Sequence, residues 1–214
     1  MDATYFAAGA TLSTIKAPAA ITADGNSAGL DIRDYTGKLC LVLTALNTAG
    51  TTPTLAVKLQ YSQDDDLIGT VTYAGTGNGT ITEVWAGADA VAETITVTLS
   101  SATAFSVSGS VSGALGAGTV GTKFTSAQIE FLITAGGTAF VNTDAFTIPV
   151  TARTWADVTG ASYAGLTTGA SVQRLSVDAD KLGRFIRTNH VIGGTVSPVY
   201  TVGIAMLGMK QYNG

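Results

Sequence analysis

Charged residues are scarce in this 214-residue chain. They make up 12% of the sequence, against about 25% in an ordinary soluble domain. The net charge is −4 and the isoelectric point is about 4.7. An acidic chain of this kind is poorly suited to bind nucleic acid or an anionic membrane surface. The composition therefore predicts neither a nucleic-acid partner nor a membrane partner.

Long hydrophobic runs are also missing, although the mean hydropathy is +0.34. The longest stretch without charge, residues 94–122, is interrupted throughout by Ser, Thr and Gly. A membrane-spanning helix needs about 20 predominantly apolar residues. Residues 1–4 lack the basic region of a secretory signal. We therefore expect a soluble protein that is made in a cytoplasm.

Side chains that usually carry catalysis or hold metals are few. His190 is the single histidine and Cys40 the single cysteine, so no intrachain disulfide can form and no zinc site has credible spacing. We expect His190 to be a surface or partner-facing strand residue. Cys40 lies between two leucines, where we expect a small buried hydrophobic residue. The sequence predicts no catalytic, metal or cofactor site.

Two sets of carboxylates could still form a calcium site or the catalytic site of a hydrolase. The adjacent residues Asp64–Asp66 lack the alternating spacing of a calcium-binding loop, and we interpret them as a solvated loop between two domains. A hydrolase would need carboxylates that converge in one cleft. Asp157, Asp178 and Asp180 are the only set to consider, and their spacing does not favour that function. The sequence therefore predicts a protein that is not an enzyme.

Threonine and glycine are abundant instead, with 34 and 26 residues, and 46% of the chain is apolar. This composition favours strands and turns over helices. The segment 55–61 alternates between apolar and polar residues, and 39–46 is a continuous apolar run typical of a sandwich-core strand. Three further strands are predicted at 172–177, 184–192 and 199–207. The fold class expected is all-β.

Two segments combine glycine with a proline at the start of a strand, 49–54 and 193–199. Both patterns are typical of turns. We interpret the first as a hairpin that joins strand 39–48 to strand 54–61. The second would join strand 184–192 to strand 199–207, so that the two ends of the chain form related halves of one sandwich.

The middle of the chain differs from its flanks in charge. Residues 67–152 contain one basic and five acidic residues, whereas the rest of the chain contains ten of each. Such a shift indicates two units. The middle segment also has short strand candidates separated by glycine-rich turns, a cadence typical of a small β-sandwich. The candidates are 80–85, 94–99, 105–109, 129–133 and 145–148.

With the middle segment set aside, 59–66 continues into 154–161, and an Arg-Phe-Ile-Arg strand follows at 184–187. This arrangement resembles a group of small β-sandwich virion proteins from tailed bacteriophages. Their members run Gln-x-Ser-x-Asp-Asp-Gly-x-x-Trp-x-Asp-Val without interruption, then an Arg-aromatic-x-Arg strand. Here Asp66 replaces the glycine, and the middle segment follows directly. The resemblance covers residues 20–66 and 154–212.

The middle segment has a resemblance of its own. Residues 77–84, 105–110 and 140–147 are similar to an Ig-like module that is spliced into phage structural proteins. Together the two resemblances imply three parts, which are an N-terminal arm, a discontinuous antiparallel β-sandwich of jelly-roll-like type, and an inserted Ig-like β-sandwich. The expected bounds are 1–19 for the arm, 20–66 plus 154–214 for the first sandwich, and 67–153 for the insert.

The resemblance implies a structural component of the phage particle. The leading expectation is a capsid decoration (cement) protein on the particle surface, bound to the major capsid protein and to copies of itself as a dimer or trimer. A tail or fibre component is one alternative. A glycan-binding adhesin module is another, for which Trp85 and Tyr73 would form an aromatic platform in the insert.

Partner contacts are expected from exposed apolar residues in the arm and from two arginines. The arm residues are Tyr5, Phe6, Leu12 and Ile15. Arg184 and Arg187 could pair with Asp178 and Asp180, or with carboxylates of a neighbouring subunit. Trp155 is expected to pack in the sandwich core, with ligand stacking as the alternative.

Overall fold

A computed structural model describes residues 10–63 and 66–210 of the chain. These residues form an all-β fold with a single 3-10 turn, Ala179–Lys181, capped by the Asp178 carboxylate. None of the described helical residues forms a helix long and apolar enough to cross a membrane. The strands are β1 (Ala10–Ile21), β2 (Gly25–Asn26), β3 (Leu30–Asp31), β4 (Tyr35–Ser62), β5 (Thr72–Ala74), β6 (Thr80–Ala86), β7 (Glu93–Leu99), β8 (Ala104–Gly109), β9 (Gly113–Thr119), β10 (Phe124–Thr125), β11 (Ile129–Thr134), β12 (Ala145–Val150), β13 (Ala156–Ser162), β14 (Ala170–Asp178) and β15 (Phe185–Lys210).

The chain divides into two compact units. Unit 1 comprises Met1–Gln63 and Trp155–Gly214, and unit 2 comprises Asp64–Thr154. Each unit has its own buried hydrophobic core. The sequence placed the two joints after residues 66 and 153, within three residues of the divisions between the units.

Unit 1 is organised around one long antiparallel ribbon. β4 and β15 pair along their whole length, from Tyr35 opposite Lys210 to Ser62 opposite Phe185. A straight strand of the 28 residues in β4 would be about 90 Å long. Leu41 in its first half and Val57 in its second half nevertheless belong to the same buried core. The ribbon must therefore fold over on itself near its middle.

Folding the ribbon produces two layers that face each other across the core. Layer A contains β1, residues 199–210 of β15, residues 35–48 of β4, and β14, in that order. Layer B contains β2 and β3, residues 185–193 of β15, residues 54–62 of β4, and β13. All these pairings are antiparallel, which confirms the antiparallel β-sandwich predicted from the sequence.

The two predicted hairpins are wrong. The two halves of β4 do not pair with each other, and neither do the two halves of β15, because each half pairs with the other strand. Residues 49–54 and 193–199 are instead two bends, one in each strand, that carry the ribbon from one layer to the other. Glycine and proline mark a change of chain direction, but they do not determine which strands become neighbours.

The two bends pack closely against each other. Gly50 has φ +109°, and a Cβ atom there would lie 2.7 Å from the Cα of Pro198. Gly194 has φ +120°, and a Cβ atom there would lie 2.7 Å from the carbonyl oxygen of Thr52. Both positions therefore need glycine for the backbone conformation and for the space.

The second half of the predicted N-terminal arm is a strand. Residues 10–19 belong to β1, which pairs with β15, and Ile15 is buried in the core. The register shifts between Thr14 and Lys16 and again between Lys16 and Ala19. These bulges break the two-residue period by which a strand is recognised in a sequence. Tyr5 and Phe6 lie outside the described residues.

Unit 2 is a second sandwich of two antiparallel sheets. One sheet has the strand order β10–β11–β6, and the other has the order β5–β12–β7–β8–β9. Phenylalanines from both sheets fill the core between them, with Phe105 in tilted contact with Phe131 at 5.6 Å between ring centroids. Such aromatic clusters bury a large apolar area for few residues.

Unit 2 is inserted between neighbouring strands of unit 1. β4 ends at Ser62 and β13 begins at Ala156, which is the direct partner of Tyr61. Partners in an antiparallel pair lie about 5 Å apart. The chain therefore leaves layer B and returns to it at adjacent points, so an insertion at this place requires no change in the sandwich.

Gly50→Ala tests the packed bends. We expect the substitution to destabilise unit 1 by about 1–3 kcal/mol, because it forces a positive φ and a clash with Pro198. Native-state hydrogen exchange of the β4 core amides measures this loss. Gly165→Ala is the control, since that position has open space around it. Equal protection in the two variants would contradict the packed-bend geometry.

Candidate protein interface

The outer face of layer B carries a network of compensated charges, which we call the polar face. The Lys58 ammonium lies 2.9 Å from the Asp157 carboxylate. The amide of Gln60 donates to Asp157 at 2.9 Å, and the guanidinium of Arg187 donates to Gln60 at 2.9 Å. The same guanidinium stacks 4.4 Å from the ring of Trp155. Trp155 is thus half-buried beneath an arginine on this face, and the prediction that it packs in the core is wrong.

The partners predicted within the chain, Asp178 and Asp180, make other contacts. Arg184 pairs with Asp31, at 3.0 Å between Nε and Oδ2. Asp178 pairs instead with Lys38 at 3.4 Å, and Asp180 caps the backbone N–H of Gly37. Asp31 precedes the arginines by about 150 residues, and only the pairing of β3 with β15 brings it close to them. Both arginines are therefore engaged within their own chain.

The outer face of layer A is different, and we call it the apolar face. The strand register places alternate residues of four neighbouring strands on it. Its members are Leu12, Thr14 and Pro18 of β1; Thr201, Gly203, Ala205 and Leu207 of β15; Cys40, Val42, Thr44 and Leu46 of β4; and Ala170, Val172, Arg174 and Ser176 of β14.

Large apolar side chains of this face are in contact with water. Leu12 and Val172 are each 70% exposed, and Leu46 is 45% exposed. Between them, Pro18 lies over Gly203, where a Cβ atom would be only 2.9 Å from the proline ring. Contiguous exposed apolar surface of this kind usually marks a contact with another protein.

Two shallow grooves cross the apolar face. One, of about 260 Å³, lies beside Leu46 and Val172 and is lined almost entirely by apolar atoms. The other, of about 140 Å³, lies between Pro18 and Val42. The charged residues of the face lie at its margins. Arg174 is on the edge strand β14, and Lys16 lines the second groove from the edge strand β1. Lys38 and Asp178 form an ion pair at one end of the face. The centre of the face therefore combines protruding side chains, grooves and no charge.

The sequence located only part of this surface. Leu12 lies on it as a predicted contact residue, whereas Ile15 faces the core. Leu46 and Val172 were not singled out. The signal was present in the run 39–46, which is apolar at three of its four even positions as well as at its odd positions, although only the odd positions are buried in the core. Apolar residues on both faces of a strand indicate that both faces become covered.

His190 and Cys40 do not lie where the sequence suggested. His190 shares the inner side of layer B with Ile186 and Thr188, so it is buried rather than partner-facing. Burial lowers its pKa, and the nearby Lys16 adds to the effect. Cys40 is half-buried on the apolar face rather than fully buried in the core.

The three aspartates considered for hydrolysis have structural roles. Hydrogen bonds from Gln60, then from Lys58, lower the pKa of Asp157, whereas a general acid needs a raised pKa. Asp178 and Asp180 hold the start of β4 through Lys38 and Gly37. Across residues 10–63 and 66–210, no group of three or more His, Cys, Asp or Glu side chains is arranged to hold a metal ion.

The predicted aromatic platform of unit 2 does not form. Trp85 is 42% exposed on β6, in the three-stranded sheet. Tyr73 is on β5, in the other sheet, where its ring lies 4.8 Å from that of Phe146. The hydroxyl of Tyr73 donates to Asp144 at 2.8 Å. Tyr73 therefore packs against the interior of unit 2 and is not part of an exposed aromatic surface with Trp85.

Asp144 is a buried carboxylate that organises the loops of unit 2. It accepts hydrogen bonds from the backbone N–H groups of Thr76, Gly77 and Val141 at 2.9–3.1 Å. Burial acts to raise its pKa, but these three donors and the Tyr73 hydroxyl outweigh burial and lower the pKa to about 2. A charge with this many donors is stable without a cationic partner.

Among known proteins, the similarities of this chain are to solved structures and have low TM-scores. No protein-family model and no curated protein matches the chain. FlgL of Xanthomonas campestris is similar over 47% of this chain and 34% of its own, with 19% identity and a TM-score of 0.34. The T=1 particle derived from infectious bursal virus is similar over 95% of this chain and 78% of its own, with 8% identity and a TM-score of 0.27. The chain spans about a third of the length of FlgL.

Asp144→Asn tests the role of this carboxylate. The Asn oxygen can take the place of Oδ2, which accepts from Gly77, Val141 and Tyr73. The NH2 group then takes the place of Oδ1 and cannot accept from the Thr76 N–H, so we expect faster hydrogen exchange at the Thr76 amide. The exposed substitution Glu83→Gln is the control and should leave this amide unchanged. Unchanged exchange at Thr76 in Asp144→Asn would contradict the assignment.

The same carboxylate makes unit 2 sensitive to acid. Because folding lowers the pKa of Asp144, its stabilisation is complete above the ordinary value of 3.8 and is lost as the pH falls through about 2. We expect acid unfolding of unit 2 in this window, and a shallower pH dependence in Asp144→Asn. An identical pH dependence in the two proteins would show that Asp144 does not carry the effect.

Proposed function

We propose that the chain is a non-enzymatic structural component of a tailed-phage virion, and specifically a capsid decoration protein. The observation that carries the proposal is the contrast between the two outer faces of unit 1. The polar face satisfies its own charges, whereas the apolar face exposes Leu12, Leu46 and Val172. A sandwich with one such face is suited to being covered by another protein surface.

The scarcity of charge fits a protein that functions in a repeating assembly. Each copy in a symmetric shell makes the same contact, so weak individual contacts are sufficient when they are numerous. Covering the apolar face removes the exposed side chains of Leu12, Leu46 and Val172 from water, which favours association. The major capsid protein or another copy of this chain would provide the covering surface.

The way in which unit 2 is inserted supports the same proposal. Ser62 and Ala156 lie at adjacent places in layer B, so unit 2 is joined to unit 1 through neighbouring strand ends. A module attached in this way can be gained or exchanged without rebuilding the sandwich that makes the contact. This agrees with the resemblance of the middle segment to modules spliced into phage structural proteins.

A tail or fibre location is the alternative that shares this geometry. The two locations differ in copy number rather than in chemistry. A glycan-binding role has one observation in its favour, the exposed ring of Trp85, because exposed aromatic rings can stack on sugars. Binding of a polysaccharide by the full chain, abolished in Trp85→Ala, would support that role.

Purified virions test the proposed function directly. We expect the 21.6 kDa chain in hundreds of copies per particle, measured by quantitative mass spectrometry against the major capsid protein. Copy numbers of a dozen or fewer would indicate that the protein is a tail component. Absence of the chain from purified particles would overturn the proposal altogether.

A further inference from the structure

We infer that the apolar face is the contact between two copies of this chain, which pair face to face through layer A. The inference rests on the proposed function in one respect, the interpretation of this face as a protein contact, and it names the partner. The charge, size and relief of the face support a second copy as the partner.

The distribution of charge favours a second copy. In a two-fold contact each surface meets itself, so a face with a net charge at its centre would repel its partner. The centre of the apolar face has no charge, and Arg174 lies on the edge strand β14. Lys16, which borders the second groove, lies on the opposite edge strand β1. Both cations therefore lie on edge strands, outside the two central strands of the face.

The size of the face reaches the minimum for a specific contact. Four strands of about eight residues each cover an area about 20 Å wide and about 25 Å long. Two such faces would bury about 1,000 Å² in total, which is the lower limit for a specific interface.

The relief of the face combines exposed side chains with grooves. Leu12, Leu46 and Val172 are exposed, and two shallow grooves lie beside Thr44 and Gly203. Two stacked sheets pack about 10 Å apart with interdigitated side chains, and their strands cross at about −30°. A second copy placed in this way can insert its protruding side chains into the grooves of the first.

Analytical ultracentrifugation of the full chain tests this inference. At micromolar concentration we expect a species of twice the 21.6 kDa monomer mass. Leu46→Lys places a charge in the contact from each copy, and we expect it to weaken dimerisation by roughly 100-fold. Val191→Lys is the matched control, since Val191 is 46% exposed against 45% for Leu46 but lies on the polar face.

A second pair of variants tests the apolar face at another position, so that the conclusion does not depend on Leu46 alone. Val172→Lys should also weaken dimerisation, whereas Val111→Lys, at a residue of unit 2 that is 69% exposed against 70% for Val172, should not. Far-UV circular dichroism confirms that each variant is folded. A wild-type chain that stays monomeric, or Leu46→Lys and Val172→Lys variants that dimerise like the wild type, would overturn the inference.

Other occupants of the face give distinct results. If the wild-type chain is monomeric and Leu46→Lys is lost from virions, the face contacts the shell; the dimer inference fails and the proposed function stands. If residues 1–9 of the same chain cover the face, deleting them converts a monomer into a dimer, which also overturns the inference. A dimer sensitive to Leu46→Lys in a chain absent from virions would support the inference and refute the proposed function.

Discussion

The structure of unit 1 depends on the fold in the β4–β15 ribbon, where two bends pack against each other. A ribbon of this length has no core of its own, because each of its faces would be open to water. Folding it over brings Leu41 and Val57 into one core and creates both layers at once. The close approach of Gly50 to Pro198 and of Gly194 to Thr52 makes this fold possible. The other strands add to edges that the ribbon provides.

Once the ribbon is folded, strand alternation determines what each face can do. Odd residues of β4 in layer A point into the core, so its even residues form the apolar face. In layer B the same alternation directs Lys58 and Gln60 outward, where they meet Asp157 and Arg187. One face therefore has its polar groups satisfied within the chain, and the other has apolar groups exposed to water. This asymmetry, rather than any titratable cluster, underlies the functional proposal.

Much of the fold could be predicted from the sequence, because it depends on local patterns. Threonine-rich alternation predicted the all-β class, and the charge-poor middle segment coincides closely with unit 2. The pairing of strands could not be predicted, since glycine and proline signals are the same in a hairpin and in a bend between layers. Ile15 was assigned to an arm because two bulges hide the period of β1. The partner of Arg184 was missed because Asp31 is distant in sequence.

Cross-linking of designed cysteine pairs tests the folded ribbon most directly. In a Cys40→Ser background, Val42→Cys with Ala205→Cys joins direct strand partners, and a disulfide can bridge such a pair. Val42→Cys with Gln60→Cys joins positions that a hairpin would bring together but that lie here on the opposite outer faces of the sandwich. The account predicts a disulfide within one chain for the first pair only. A disulfide in the second pair, and none in the first, would contradict it.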